Sequence, residues 1–111
     1  MSDWANVTIP EGANTSRTWR LTSDGSPLGL SGVTVTAVIK PSEHYEDDDQ
    51  LAHTLTQGSG LTIVDAAAGT VKLAVPTAVT QAPSSWFYKI IPSSSGETEP
   101  AVMGWIYITD A

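Results

Sequence analysis

Strict alternation over Val33-Thr-Val-Thr-Ala-Val-Ile-Lys40 constrains this chain more than any other feature. Val33, Val35, Ala37 and Ile39 fall on one face, with Thr34, Thr36 and Lys40 on the other. Successive side chains of a strand point to opposite sides, so a period of two built from β-branched residues specifies a half-buried antiparallel β-strand. A shorter strand precedes it, with Trp19 and Leu21 on one face and Thr18, Arg20 and Thr22 on the other. Between them Ser23-Asp-Gly-Ser-Pro27 reads as a tight turn, because Asp-Gly tolerates positive φ.

The same grammar runs to the C-terminus. Trp4 to Ile9 reads as a first strand, with Val7 and Ile9 on one face and Pro10 as its stop. After Lys40 the composition changes abruptly to Pro-Ser-Glu-His-Tyr-Glu-Asp-Asp-Asp-Gln, an exposed loop without apolar periodicity. Strands are then expected at Leu51 to Thr56, Leu61 to Val64 and Thr70 to Val75, separated by turns at Gln57–Gly60 and Asp65–Gly69. Prolines bracket Pro76 to Pro83 and allow one helical turn at most. Ser85 to Ile91 and Ala101 to Thr109 are the last two strands. About eight strands with turn signals every ten or so residues point to a single all-β domain spanning 1–111, a sandwich or a barrel.

The last two strands break the alternation. Trp86, Tyr88 and Ile90 share one face, yet Phe87 and Ile91 occupy the other; Trp105 and Tyr107 oppose Val102, Ile106 and Ile108. A strand that is apolar on both faces needs cover on both. The second cover is either a long loop or another protein, and aromatic enrichment at interface cores favours the protein. Phe87, Ile91, Ile106 and Ile108, with the segment around Trp4, are therefore the expected protein-contact residues.

Several function classes are disfavoured. A net charge of -7, with five scattered basic residues, argues against nucleic acid and against anionic membranes. No stretch approaches the ~20 apolar residues that span a bilayer. Met1-Ser-Asp-Trp-Ala carries neither a basic start nor an apolar run, so no signal peptide is expected. The chain has no cysteine, which removes disulfides and thiolate metal ligands. The triplets at Asn6 and Asn14 match a glycosylation motif of low specificity and are read as chance.

Catalytic constellations are equally thin. Glu43, Glu46, Asp47, Asp48 and Asp49 lack the spacing of a calcium loop and read as a solvated run. The two histidines, His44 and His53, have no nucleophile elbow to serve, and His53 shares a strand face with Leu51 and Leu55. No enzyme, cofactor or metal is expected. The four tryptophans, Trp4, Trp19, Trp86 and Trp105, raise a carbohydrate-binding alternative, but each falls in a strand and core packing is the preferred reading.

From Arg17 onward the order of elements resembles the N-terminal immunoglobulin-like domain of phage baseplate upper proteins and related small tail proteins. The likeness rests on Thr18-Trp-Arg-Leu-Thr-Ser-Asp-Gly-Ser-Pro-Leu-Gly-Leu-Ser-Gly32 followed by the Val33–Lys40 strand. It continues in Leu61-Thr-Ile-Val-Asp-Ala-Ala-Ala-Gly-Thr-Val-Lys-Leu-Ala-Val75 and Trp86-Phe-Tyr-Lys-Ile-Ile91. The resemblance implies an immunoglobulin-like antiparallel β-sandwich of seven to eight strands. It also implies a non-enzymatic structural subunit of a bacteriophage virion, a tail- or baseplate-associated adaptor assembled in the host cytoplasm. Expected partners are other virion proteins in a homo-oligomeric or multi-copy assembly, with no nucleic acid and no membrane. Two departures, the stop at Ala111 and the acidic Glu43–Asp49 loop, leave room for a capsid decoration protein on the same fold. A carbohydrate-binding module for cell-surface attachment is the other alternative.

Overall fold

A computed structural model describes residues 3–12, 16–23, 26–27, 29–30, 32–42, 44–46, 50–81, 83–94, 97–98 and 101–110. The chain is all-β. Its principal strands are β2 (Val7–Pro10), β3 (Ser16–Arg20), β6 (Thr34–Lys40), β7 (His53–Gln57), β8 (Gly60–Asp65), β9 (Thr70–Ala74), β10 (Ser84–Ser94) and β12 (Val102–Thr109). Shorter pieces are β1 (Asp3–Trp4), the β4–β5 ribbon (Thr22–Ser23 with Ser26–Pro27) and β11 (Glu97–Thr98). The single helical turn expected between the prolines is α1 (Thr77–Thr80). Among the described residues no helix is long and apolar enough to cross a membrane.

All but the β4–β5 ribbon join one sheet in the order β1-β12-β10-β6-β7-β8-β9-β3, with β2 also on β12 and β11 on β10. This sheet curls into a half-barrel. The pairing is mixed, which corrects the expectation of a purely antiparallel architecture. β1 and β2 lie parallel to β12, and β7 lies parallel to β8. The β7–β8 pair is a corner made by a very short turn. The Thr56 and Ser59 backbones bond each other, and the Gly58 N–H donates to the Leu61 carbonyl. Gly60 makes the corner possible: its φ is +91°, and a Cβ there would sit 2.8 Å from the Leu55 side chain.

The concave side holds the core. Val35, Ala37 and Ile39 of β6, Tyr88 and Ile90 of β10, and Val102, Ile106 and Ile108 of β12 line one limb. Leu61, Val71, Leu73 and Trp19 line the limb facing it, and Leu21, Leu30, Val75 and Val79 fill the space between and around them. The two limbs meet through one buried polar chain. Trp19 Nε1 donates to the Tyr88 hydroxyl at 3.0 Å, and that hydroxyl donates to the Ala5 carbonyl at 2.5 Å. The rings themselves lie 5.4 Å apart. Burial pushes the Tyr88 phenol above its ordinary value of 10.0, with the Trp19 hydrogen bond pulling the other way. Tyr88 is thus held as the neutral, proton-donating form.

The first strand expected from the sequence is divided. Trp4 pairs with Met103 and Val7 with Ile106, so the parallel register carries across unbroken; the Ala5 N–H still donates to the Met103 carbonyl at 2.9 Å, and the ladder is interrupted after it, where the Ala5 carbonyl turns to Tyr88. Asn6 compensates with its side chain, whose Oδ1 accepts the Trp105 N–H at 3.0 Å. Opposite Ala5 stands Gly104, where a Cβ would lie 1.9 Å from the Ala5 carbonyl oxygen. Only a glycine lets that carbonyl come in far enough to meet Tyr88.

Candidate interaction face

The convex side of β1, β12, β10 and β6 carries the feature that the broken alternation foreshadowed. Residues directly opposite on paired strands share a face. Phe87 pairs with Trp105 on one side and Lys40 on the other, so these three form one row across the sheet. Met103, Lys89 and Val38 form the next row, and Trp4 joins it from β1 through Met103. Tyr107 and Ser85 lie on the opposite side of the Phe87 row.

Phe87 is the hub of this face. Its ring lies 6.1 Å from Trp4 in a tilted arrangement and 5.6 Å from Trp105 edge-on, and these contacts leave it only 4% exposed. Edge-to-face and tilted pairs of this spacing place the positive rim of one ring against the negative face of another. The Lys40 ammonium stands 5.8 Å from the Phe87 centroid and donates to the Tyr45 carbonyl at 2.6 Å. Burying an ammonium is unfavourable unless its protons are used, and the turn after β6 supplies that acceptor. Part of the cover is therefore the loop of this same chain, the alternative to a partner weighed from sequence. The cover is incomplete: Trp4 is 53% exposed and Tyr107 39%, with Trp105 half-buried between them.

The five expected contact residues divide accordingly. Trp4 is on this surface, Phe87 lies directly beneath it, and Ile91 is half-buried at the same parity along β10. The outward placement of Ile106 and Ile108 is corrected. They pair with Trp86 and Ser84, point into the half-barrel and belong to the core at 0% and 4% exposure. Their neighbours Met103, Trp105 and Tyr107 take the outward positions instead. The signal was present in β12 itself. Its aliphatic residues are on one side, and the aromatic residues with polar tips, which tolerate a wet boundary, are on the other.

Among the described residues no three metal-ligating side chains gather to hold an ion. Glu43 and Asp47 to Asp49 lie outside the described residues, as do Asp24 and Gly25 of the turn and Asn14 and Thr15 of the second triplet. His44 is exposed, and its backbone N–H donates to Ser42 Oγ at 3.4 Å. His53 is half-buried on the inner side, with its ring 5.6 Å from Trp86. Asp65 works as a turn cap, its Oδ1 accepting the Ala68 N–H at 3.1 Å. Trp19 is buried and Trp86 packs against the core, so of the four tryptophans only Trp4 and Trp105 belong to the convex face. Compared with known proteins, the chain matches no family model, and no curated protein matches it.

Proposed function

We propose that the protein is a non-enzymatic structural subunit of a bacteriophage particle, a tail- or baseplate-associated adaptor that docks through the convex aromatic face. The reading takes the half-barrel as an immunoglobulin-like sandwich whose two limbs are tied by the Trp19–Tyr88 bond. The carrying observation is the exposed pair Trp4 and Tyr107 flanking Trp105 over a buried Phe87. Aromatic anchors of this kind, set on a rigid sheet, are what the core of a protein–protein interface uses. The partners are other virion proteins, met in many copies, with assembly in the host cytoplasm. The acidic balance keeps unassembled copies soluble.

The test is direct. Particles released by the producing host are purified, and the chain is sought in them by mass spectrometry and by antibody labelling under the electron microscope. Labelling at the tail or baseplate is expected; labelling over the head instead assigns a capsid decoration protein, and absence from particles overturns the virion reading. Trp4→Asp with Tyr107→Asp is expected to keep the fold, with some stability lost from the Trp4–Phe87 contact, and to fail to incorporate. The same exposed rings also favour a second reading, since sugars stack on aromatic faces. A stable monomer that binds a glycan array, and loses that binding in the same double variant, identifies a carbohydrate-binding module instead.

A further inference from the structure

We infer that the outer edge of β3 is a strand-receiving site for an extended acidic segment of a partner protein, which adds to the half-barrel as a further strand. The inference is independent of the virion assignment and concerns a different limb from the convex aromatic face.

β3 closes one end of the strand order, and among the described residues no strand pairs with its outer side. In an antiparallel pair, alternate residues turn their backbone groups towards the neighbour and away from it. The Leu21 N–H donates to the Gly69 carbonyl at 2.7 Å, so Arg17, Trp19 and Leu21 turn theirs to the β9 side. The backbone groups of Thr18 and Arg20 therefore aim outward, in position for a second ladder. The other end of the order is blunted. There β1 has two residues, and β2, also on β12, has four and stops at Pro10, which has no N–H to give.

Charge selects the occupant. Strands β3, β9 and β8 carry Arg17, Arg20 and Lys72, three of the chain's five basic residues, against a single acid, Asp65. The chain as a whole has twelve acids and a net charge of -7, so this edge is the exception. Thr18 opposes Lys72, and Arg20 lies two residues along on the same outer face; all three are exposed. Arg17 has the other parity, opposite Leu73 at the concave rim, and its guanidinium donates to the Ser16 carbonyl at 3.3 Å, which holds it beside the edge. Cations thus flank the edge on both faces. The side chains of an added strand alternate between those faces and meet a cation at either parity. Asp65 lies two strands in, across Thr70, with its Oδ1 held by the Ala68 N–H. Charges on an edge ordinarily keep strands away. These repel another β3, whose cations would come alongside, and attract an acidic strand. The occupant is thus an extended acidic segment of a partner, and pairing of two β3 edges is disfavoured.

The probe is a short peptide of alternating Glu and Thr, blocked at both ends, and its control carries Lys in place of Glu. Added to the full-length, isotope-labelled protein, the Glu peptide is expected to slow hydrogen exchange at the Thr18 and Arg20 amides, and the Lys peptide to leave it unchanged. Thr18→Pro removes an outward N–H and no bond to β9, so the fold is kept while protection at Arg20 is lost. Arg20→Glu with Lys72→Glu leaves the backbone edge intact, and should weaken the Glu peptide by about tenfold or more and admit the Lys peptide. A Glu peptide that binds without slowing exchange at Thr18 and Arg20, or that binds Thr18→Pro equally well, is a surface ion pair and overturns the strand-receiving edge. Equal binding of the two peptides overturns the charge selection, and binding of neither overturns the inference whole. Protection of the same amides in the protein alone, rising with its concentration, identifies a second copy as the occupant and overturns the partner assignment.

Discussion

The two sides of the β10–β12 pair are made from similar residues and end in different states. On the concave side Tyr88, Ile90, Val102, Ile106 and Ile108 meet a second limb of the same sheet, and Tyr88 finds a donor in Trp19 and an acceptor in Ala5. On the convex side Phe87 meets Trp4 and Trp105, Asn6 accepts the Trp105 N–H, and Lys40, held by the Tyr45 carbonyl, stands beside the Phe87 ring. The inner face is closed by the curl of the sheet. The outer one is covered over Phe87, Val38 and Lys40 and open at Trp4 and Tyr107. Apolar composition alone therefore does not distinguish a core face from a docking face. The supply of material on the far side does.

Substitutions should separate the two faces by size of effect, beginning inside. Ile106→Ala removes a fully buried side chain and leaves a cavity, so a loss of about 2–5 kcal/mol is expected in urea titration. A loss below 1 kcal/mol, about the effect of a surface truncation, would place Ile106 on a yielding boundary and erase the contrast. An Asp at the same position is a poor probe of docking, because it would bury an unpaired carboxylate and unfold the domain first.

Tyr88→Phe comes next. It keeps the ring and removes the oxygen, stranding the Trp19 N–H and the Ala5 carbonyl, and should lower stability by about 1–3 kcal/mol. The variant also carries a pH signature. The folded state holds the Tyr88 proton more tightly than the unfolded chain, so the stability it contributes is fully present below pH 10.0 and is lost as pH rises through the higher folded value. Stability measured from neutral pH into the alkaline range should therefore fall more steeply for the parent than for Tyr88→Phe. Parallel curves would mean that burial does not hold the phenol neutral.

The sequence makes most of this contrast legible and hides the part that locates the site. Alternation identifies β6 and β9 to within a few residues, and the apolar, aromatic-bearing runs between turn signals identify β10 and β12 although they break the period. The prolines around α1 are equally plain. Pairing direction is not, because the parallel β1 and β2 have no hairpin turn to announce them and their partner lies at the other end of the chain. Nor is register. Phe87 and Ile106 look equivalent as apolar residues in doubly apolar strands, and only the pairing of Phe87 with Trp105 shows that they face opposite ways. Gly104 and Asn6 are silent in the sequence for the same reason: their meaning depends on the segment that crosses them.

The smaller effects belong outside. Trp4→Ala removes one ring from the Phe87 cluster while its other side already faces water, so about 0.5–1.5 kcal/mol should be lost. Tyr107→Ser should change stability by no more than about 0.5 kcal/mol, as expected of a surface site away from any buried network. That near-silence is the sharpest form of the comparison. If the convex face serves only to shelter Phe87, Tyr107→Ser is silent in every assay. If it docks, the same variant melts with the parent in calorimetry and yet is under-represented in assembled particles when both chains are expressed together. Stability and assembly then part company at one residue, as they do not at Ile106, where failure to assemble would follow from failure to fold.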